Sequence, residues 1–250
     1  MSVSDHQAHW LTGHEYDALR ATDFDLFCEA AARDLAAHVP TCPDWDVSNL
    51  CDHLARVYQG RAFTVQNGTF ADPSMLQVRS EPAEPLEWVK RWSYVLDEVL
   101  RNHPDTDTTV TFMPDSTSML FWRRRMALET LVHRVDAELA VDMSITPMDE
   151  SLSADGVAEL LWFCTDLDQP IGDALGPNTS VALVAGGRRF VATVSGDSYA
   201  WEESPAHADA EVSGSAGDVL LALSGRDVKS LTISGDASAW QRLLNRAGCF

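Results

Sequence analysis

One stretch constrains this chain more than any other. From Met119 to Val141 no Gly or Pro interrupts a run of good helix formers, and Leu128, Leu131, Val132 and Val135 recur at the i, i+3, i+4, i+7 spacing of a buried face. The spacing predicts one long helix. Glu129 and His133 stand four residues apart on it, so they share a face one turn apart, with Cβ atoms roughly 5–6 Å from each other. A carboxylate and an imidazole so placed can close on one divalent ion. Such pairs also occur by chance on solvated helices, and a third donor is needed before the pair reads as a site. What favours a site is that both residues border the apolar seam, where unpaired ionisable groups are costly.

Three further helices are expected before this one. The first runs from about His14 to Ala37 and stops at Val39-Pro40-Thr41-Cys42-Pro43-Asp44-Trp45-Asp46, where two prolines exclude helix interior. Asp46 then N-caps a second helix whose apolar stripe is Val47, Leu50, Leu54, Val57 and Tyr58. His53 lies on it, and by itself reads as a partly buried histidine with hydrogen-bonded ring nitrogens. After a connection broken by Pro73, Pro82 and Pro85, a third helix spans about Leu86 to Asn102, with its Trp-rich face read as core. Asp107 to Phe112 is short and β-branched, an extended segment. Four amphipathic helices make a bundle, and bundles build metal sites from side chains converging off facing helices. His53 with Glu129 and His133 would supply two imidazoles and a carboxylate. That set suits zinc with open positions, although nickel, iron and manganese accept it too.

After Val141 the pattern changes. A helix over Asp149 to Asp166 leads through turn-rich sequence to β-branched segments at Ser180–Ala185, Arg188–Val194, Tyr199–Glu203 and Ala210–Ser213, with a hairpin at Gly186-Gly187 and a second turn at Gly196-Asp197. A short helix over Ser215 to Ser224 ends at Gly225, a strand covers Leu231 to Ser234, and a closing helix covers Ala237 to Arg246. The expected fold is therefore α + α/β in two domains: residues 1–146 as a four-helix bundle and residues 147–250 as a small antiparallel sheet with helices.

Charge excludes several functions. Net charge is −20, divided as 25 acids against 12 bases in residues 1–150 and 13 against 6 afterwards. Neither half offers the Lys/Arg surface that nucleic acid or an anionic membrane requires. Arg123-Arg124-Arg125 is the local exception, read as a solvated helix start in preference to an anion site. No apolar run approaches the roughly 20 residues of a membrane span, and Met1 to Trp10 lacks the pattern of a secretory signal, so a cytoplasmic protein is expected. Five irregularly spaced cysteines without a CxxC fit reduced thiols. Cys51 points about 200° around its helix from His53, and Cys42 belongs to the Pro-rich turn, so both are kept out of the site.

Three stretches carry a resemblance: Val39 to Leu50 followed by Asp52-His53-Leu54; Glu129 to Glu138; and Gly217 to Arg226 with the later Ser234-Gly235-Asp236. Together, in this order, they are similar to the mycothiol-dependent maleylpyruvate isomerase family. The resemblance implies a DinB-like metal-binding bundle followed by a C-terminal α/β domain related to sterol-carrier-like folds. It implies a divalent metal, usually zinc, on His53, Glu129 and His133, the trio that helical geometry also suggests. It implies a catalytic arginine in the second domain, for which Arg226 is the match, although a helix-end arginine neutralising carbonyls is an equal reading. The expected activity is a cis–trans isomerase or S-transferase using mycothiol or a related low-molecular-weight thiol on a small, carboxylate-bearing electrophile. A non-catalytic binding or regulatory protein and a zinc hydrolase are the alternatives. Asp136, three residues past His133, is placed to support a ligating imidazole rather than to act as a hydrolytic base.

Overall fold

The computed structural model describes residues 9–80, 84–113, 116–164, 178–195, 198–228 and 230–247. The chain divides into two compact units, Ser2–Pro147 and Met148–Phe250.

In the first unit, α1 (Gly13–Ala31) opens with a capping box in which Thr12 and Glu15 satisfy each other's backbone N–H. It stops six residues short of the expected Ala37. The reason lies in the next helix: the Leu35 and Ala37 carbonyls accept from Ser48 and Val47 N–H at 2.9 and 3.0 Å. Backbone committed to the start of α2 cannot continue α1. The turn between them is closed by Val39 N–H on the Trp45 carbonyl and Trp45 N–H on the Cys42 carbonyl.

Helix α2 (Val47–Asn67) is capped by Asp46 as expected, with Asn49 answering in a capping box, and ends at Gly68 with φ 64°. Helix α3 (Pro85–Arg101) has proline in its first turn, where the missing N–H costs nothing. Helix α4 (Met119–Ala140) packs against α1 and α2, and α2 against α3. Trp92 is buried in the core, while Trp88 stays half-exposed beside a cleft. Leu131 and Val135 are fully buried, each contributing about 1.5–3 kcal/mol by leaving water. The 107–112 segment is extended, with Thr109 N–H donating to the Thr117 carbonyl at 2.7 Å.

Helix α4 is enclosed on more than the one face its periodicity predicts. Arg123 and Arg124, expected in solvent, are buried. Arg123 pairs with Asp17 and Asp105 and donates to the carbonyls of Leu100 and His103 at 2.6 and 2.8 Å. It thereby adds a charged donor to carbonyls at and just past the end of α3, where a cation is favoured. Arg124 lies over the Trp10 ring, 4.8 Å from its centroid. Further along, buried Arg134 pairs with Asp23 and Glu138 and donates to the Thr146 carbonyl at 2.7 Å.

The second unit holds α5 (Glu150–Phe163), capped by Asp149, then β1 (Thr179–Ala185), β2 (Arg188–Ser195), β3 (Ser198–Glu203), β4 (Ala210–Gly214), α6 (Ala216–Leu223), β5 (Thr232–Gly235) and α7 (Ala237–Ala247). The β1–β2 hairpin turns at Gly186 and Gly187, with φ 58° and 81°, as expected. The second expected turn, Gly196-Asp197, lies outside the described residues, as does Asp166, where α5 was expected to end. The sheet order is β3-β2-β1-β4-β5. It is not wholly antiparallel: β4 runs parallel to β1. Asp209, just before β4, accepts from Ser180 N–H and Oγ near the start of β1, both at 2.8 Å. That clasp sets the two strand beginnings side by side, so β4 leaves in the same direction as β1.

Candidate metal centre

His53 comes from α2, and Glu129 and His133 from successive turns of α4. Both imidazole Nε2 atoms lie 3.3 Å from the same Glu129 oxygen, Oε1. One ligand atom from each residue can be chosen so that all lie within 4.8 Å of one another. The side chains are 32%, 14% and 11% exposed for His53, Glu129 and His133, so the cluster opens to solvent on the His53 side. The two rings meet edge to face, with centroids 4.8 Å apart.

Each donor has a support. Asp136, one turn beyond His133 and fully buried, sits 2.9 Å from His133 Nδ1 through Oδ2, which turns Nε2 toward Glu129. Thr41 Oγ1 donates to the other Asp136 oxygen at 2.7 Å. Trp45 packs on the His53 ring, centroids 4.9 Å apart. Thus the Pro-rich turn between α1 and α2 supplies a brace to each histidine. Arg125 pairs with the second Glu129 oxygen, leaving Oε1 to the histidines.

Electrostatics follow from this enclosure. Burial pushes the Glu129 carboxyl up, but the Arg125 guanidinium and hydrogen bonds from His133 and His53 outweigh it and hold the carboxyl well below the usual carboxylate range. Burial also opposes a charged His133 ring, yet hydrogen bonds to Asp136 and Glu129 push its pKa up to about 9. In the metal-free chain a proton on His133 therefore supplies the positive charge that two carboxylates demand.

The donor set fits a metal ion. Two donors each about 2.0–2.1 Å from a tetrahedral zinc stand roughly 3.3–3.4 Å apart; both imidazoles keep that separation from Glu129 Oε1, and the three donor atoms together lie within 4.8 Å of one another. Three protein donors leave positions for water or a substrate atom.

Two cavities flank His53. One, of about 440 Å³, is lined by Trp45, Asn49, Asp52, Arg56, Arg79 and Trp88 among others. The second, of about 340 Å³, is lined by Arg56, Val57, Gly60, Arg61, Phe70 and Leu76 among others.

The remaining sequence candidates fall elsewhere. Arg226 lies in the second unit just after α6, whose end is marked by Gly225 with φ 81°, and it donates to the Ser224 carbonyl. Cys51 is fully buried, and burial pushes its thiol up to about 12, so it stays protonated. Thr41, Trp45 and Arg125 are the contributors that sequence reasoning missed. Arg125 had a signal: with Glu129 and His133 it completes a ladder at i, i+4 and i+8.

Residues 18–138, which contain all three donors, match a family described as the mycothiol maleylpyruvate isomerase N-terminal domain. Two crystal structures align over 90% of this chain and 93% of theirs, with a TM-score of 0.62 and 15% identity. One is of mycothiol-dependent maleylpyruvate isomerase and the other of a histidine-to-alanine mutant of it. At that identity the similarity speaks for the fold. No curated protein sequence matches the chain.

Proposed function

We propose, because residues 18–138 match the mycothiol maleylpyruvate isomerase N-terminal domain family, that this chain is a cytoplasmic, metal-dependent enzyme that uses mycothiol or a related thiol. Its substrate is a small, carboxylate-bearing electrophile, which it isomerises or to which it transfers the thiol. The observation that carries this reading is the approach of both His53 and His133 to 3.3 Å from one Glu129 oxygen beside an open cavity. Zinc is the metal this donor set suits best, and a bound divalent ion supplies the charge that holds a thiol as its nucleophilic thiolate.

The chain's own residues divide the remaining work. His53 and His133 present Nε2, Asp136 fixes the tautomer and orientation of His133, Thr41 orients Asp136, and Arg125 keeps Glu129 ionised. Arg226 is proposed to pair with a substrate carboxylate, for which its planar guanidinium is suited. Hydrolysis is the weaker reading because it needs a base beyond the ligands. Asp136 is committed to His133 and Thr41, and Glu138 to Arg134.

Elemental analysis of the purified, untagged protein tests the proposal. About one metal per chain is expected, lost in His53→Ala and in His133→Ala while the far-UV CD spectrum stays helical. Stoichiometric metal retained in both variants would sink the ligand set.

A further inference from the structure

We infer that Arg61, with Arg56 beside it, forms a carboxylate seat next to the metal centre. This rests on the thiol-dependent reading above and names where the first domain takes hold of the acidic substrate. His53, Val57, Gly60 and Arg61 follow at i, i+4, i+7 and i+8 along α2, so they line one helix face and together wall the 340 Å³ cavity. Side chains on a helix lean toward its N-terminus, which directs Arg61 back toward His53.

Arg61 is held in a manner that leaves its charge to be used. Its guanidinium carbon lies 4.7 Å from the Trp122 ring centroid and 5.7 Å from that of Phe112, and its Nε is buried without an acceptor. No hydrogen bond or ion pair joins it to a carboxylate among the described residues. A partly buried guanidinium lacking such a partner is costly unless an anion arrives. Among the described residues Arg56 likewise has no carboxylate partner, its polar contact being the Pro73 carbonyl at 3.5 Å.

The other cavity differs in this respect. There Arg79 is already neutralised by Asp52 in a two-pronged pair of 2.7 and 2.9 Å. Arg56 lines both cavities, so Arg61 is the uncompensated charge that belongs to the second cavity alone. Glu129, the carboxylate whose charge is felt at Arg61, is shared with Arg125 and the histidines. A divalent ion held by Glu129 would offset that negative charge further. A planar guanidinium backed by an aromatic face matches a carboxylate in two-pronged fashion.

The test is calorimetric titration of the zinc-loaded full chain with maleate, a small dicarboxylate. Wild type, Arg61→Gln and Arg61→Lys are compared, with zinc content and melting temperature measured on the same samples. Maleate affinity is expected to fall about ten-fold or more in Arg61→Gln, as for loss of a charge-assisted hydrogen bond, and by a few-fold in Arg61→Lys, which keeps the charge but not the fork. Zinc content should not change. Wild type that binds no maleate, or folded variants that bind it as tightly as wild type, would overturn the inference. Should Arg61→Gln fail to fold, Arg61→Lys decides on the same criterion. Failure of wild type to bind zinc would strike the metal-centre reading, whereas zinc retained with maleate affinity indifferent to Arg61 would strike only this one.

Discussion

Asp136→Asn separates the charge behind His133 from the geometry around it. The wild-type carboxylate is fully buried, 2.9 Å from His133 Nδ1 and 2.7 Å from Thr41 Oγ1. Asparagine has the same shape. Its carbonyl oxygen can accept from His133 and its amide can donate to the Thr41 hydroxyl, so both contacts survive with a different proton arrangement. What is lost is the negative charge that raises the basicity of the ligating ring. Removal of such a partner costs about 10- to 100-fold in metal affinity, or about 1.4–2.7 kcal/mol. The assay is competition for zinc against a chromophoric chelator at fixed pH, with far-UV CD as the check on folding. Thr41→Val is the control: it leaves the charge and removes one hydrogen bond, so affinity should fall less than in Asp136→Asn. Unchanged zinc affinity in a folded Asp136→Asn protein would refute the assignment of Asp136 as the group that orients and charges His133.

The metal-free chain should lose stability as pH rises. His133 has its pKa raised from 6.5 to about 9, so its contribution is fully present below about pH 6.5 and disappears as pH passes through about 9. The loss is on the order of 3 kcal/mol at its limit, read as a falling melting temperature that is absent in His133→Ala; an equal fall in both proteins would contradict it. Gly60→Ala should stabilise the first unit by about 0.5–1 kcal/mol, because glycine weakens a helix interior. The added Cβ meets only Leu76 Cδ1, at 3.8 Å, beyond the helix's own backbone. Urea unfolding measures this, and a lowered midpoint would show that the position resists a methyl group.

Much of the helical half was legible because its signals are local. Asp46 as a cap, the α4 run and the i, i+4 placement of Glu129 and His133 depend on residues within one or two turns of each other. So does the Asp136 contact to His133, three residues away. The end of α1 is not legible because the sequence remains helical in character through Ala37, while the Leu35 and Ala37 carbonyls are captured by the start of α2. The burial of Arg123 and Arg124 is not legible either, because a run of three charges reads as solvent-facing unless its partners are known. Those partners, Asp17, Asp105, the end of α3 and Trp10, lie far away along the chain.

By itself, then, the sequence determined where helices and strands form, which residues cap them, and that a carboxylate and an imidazole share a turn of α4. Those are properties of backbone geometry and short-range pairing. Only the tertiary structure decided that His53 comes within 3.3 Å of Glu129, that Thr41 reaches Asp136 and Trp45 the His53 ring, and that β4 runs parallel to β1. Apart from the Trp45–His53 contact, which depends on how the turn folds back on α2, these outcomes join residues tens of positions apart or set the direction of one strand against another. Periodicity along the chain does not encode such distances, which follow from how helices and strands pack to bury their apolar faces.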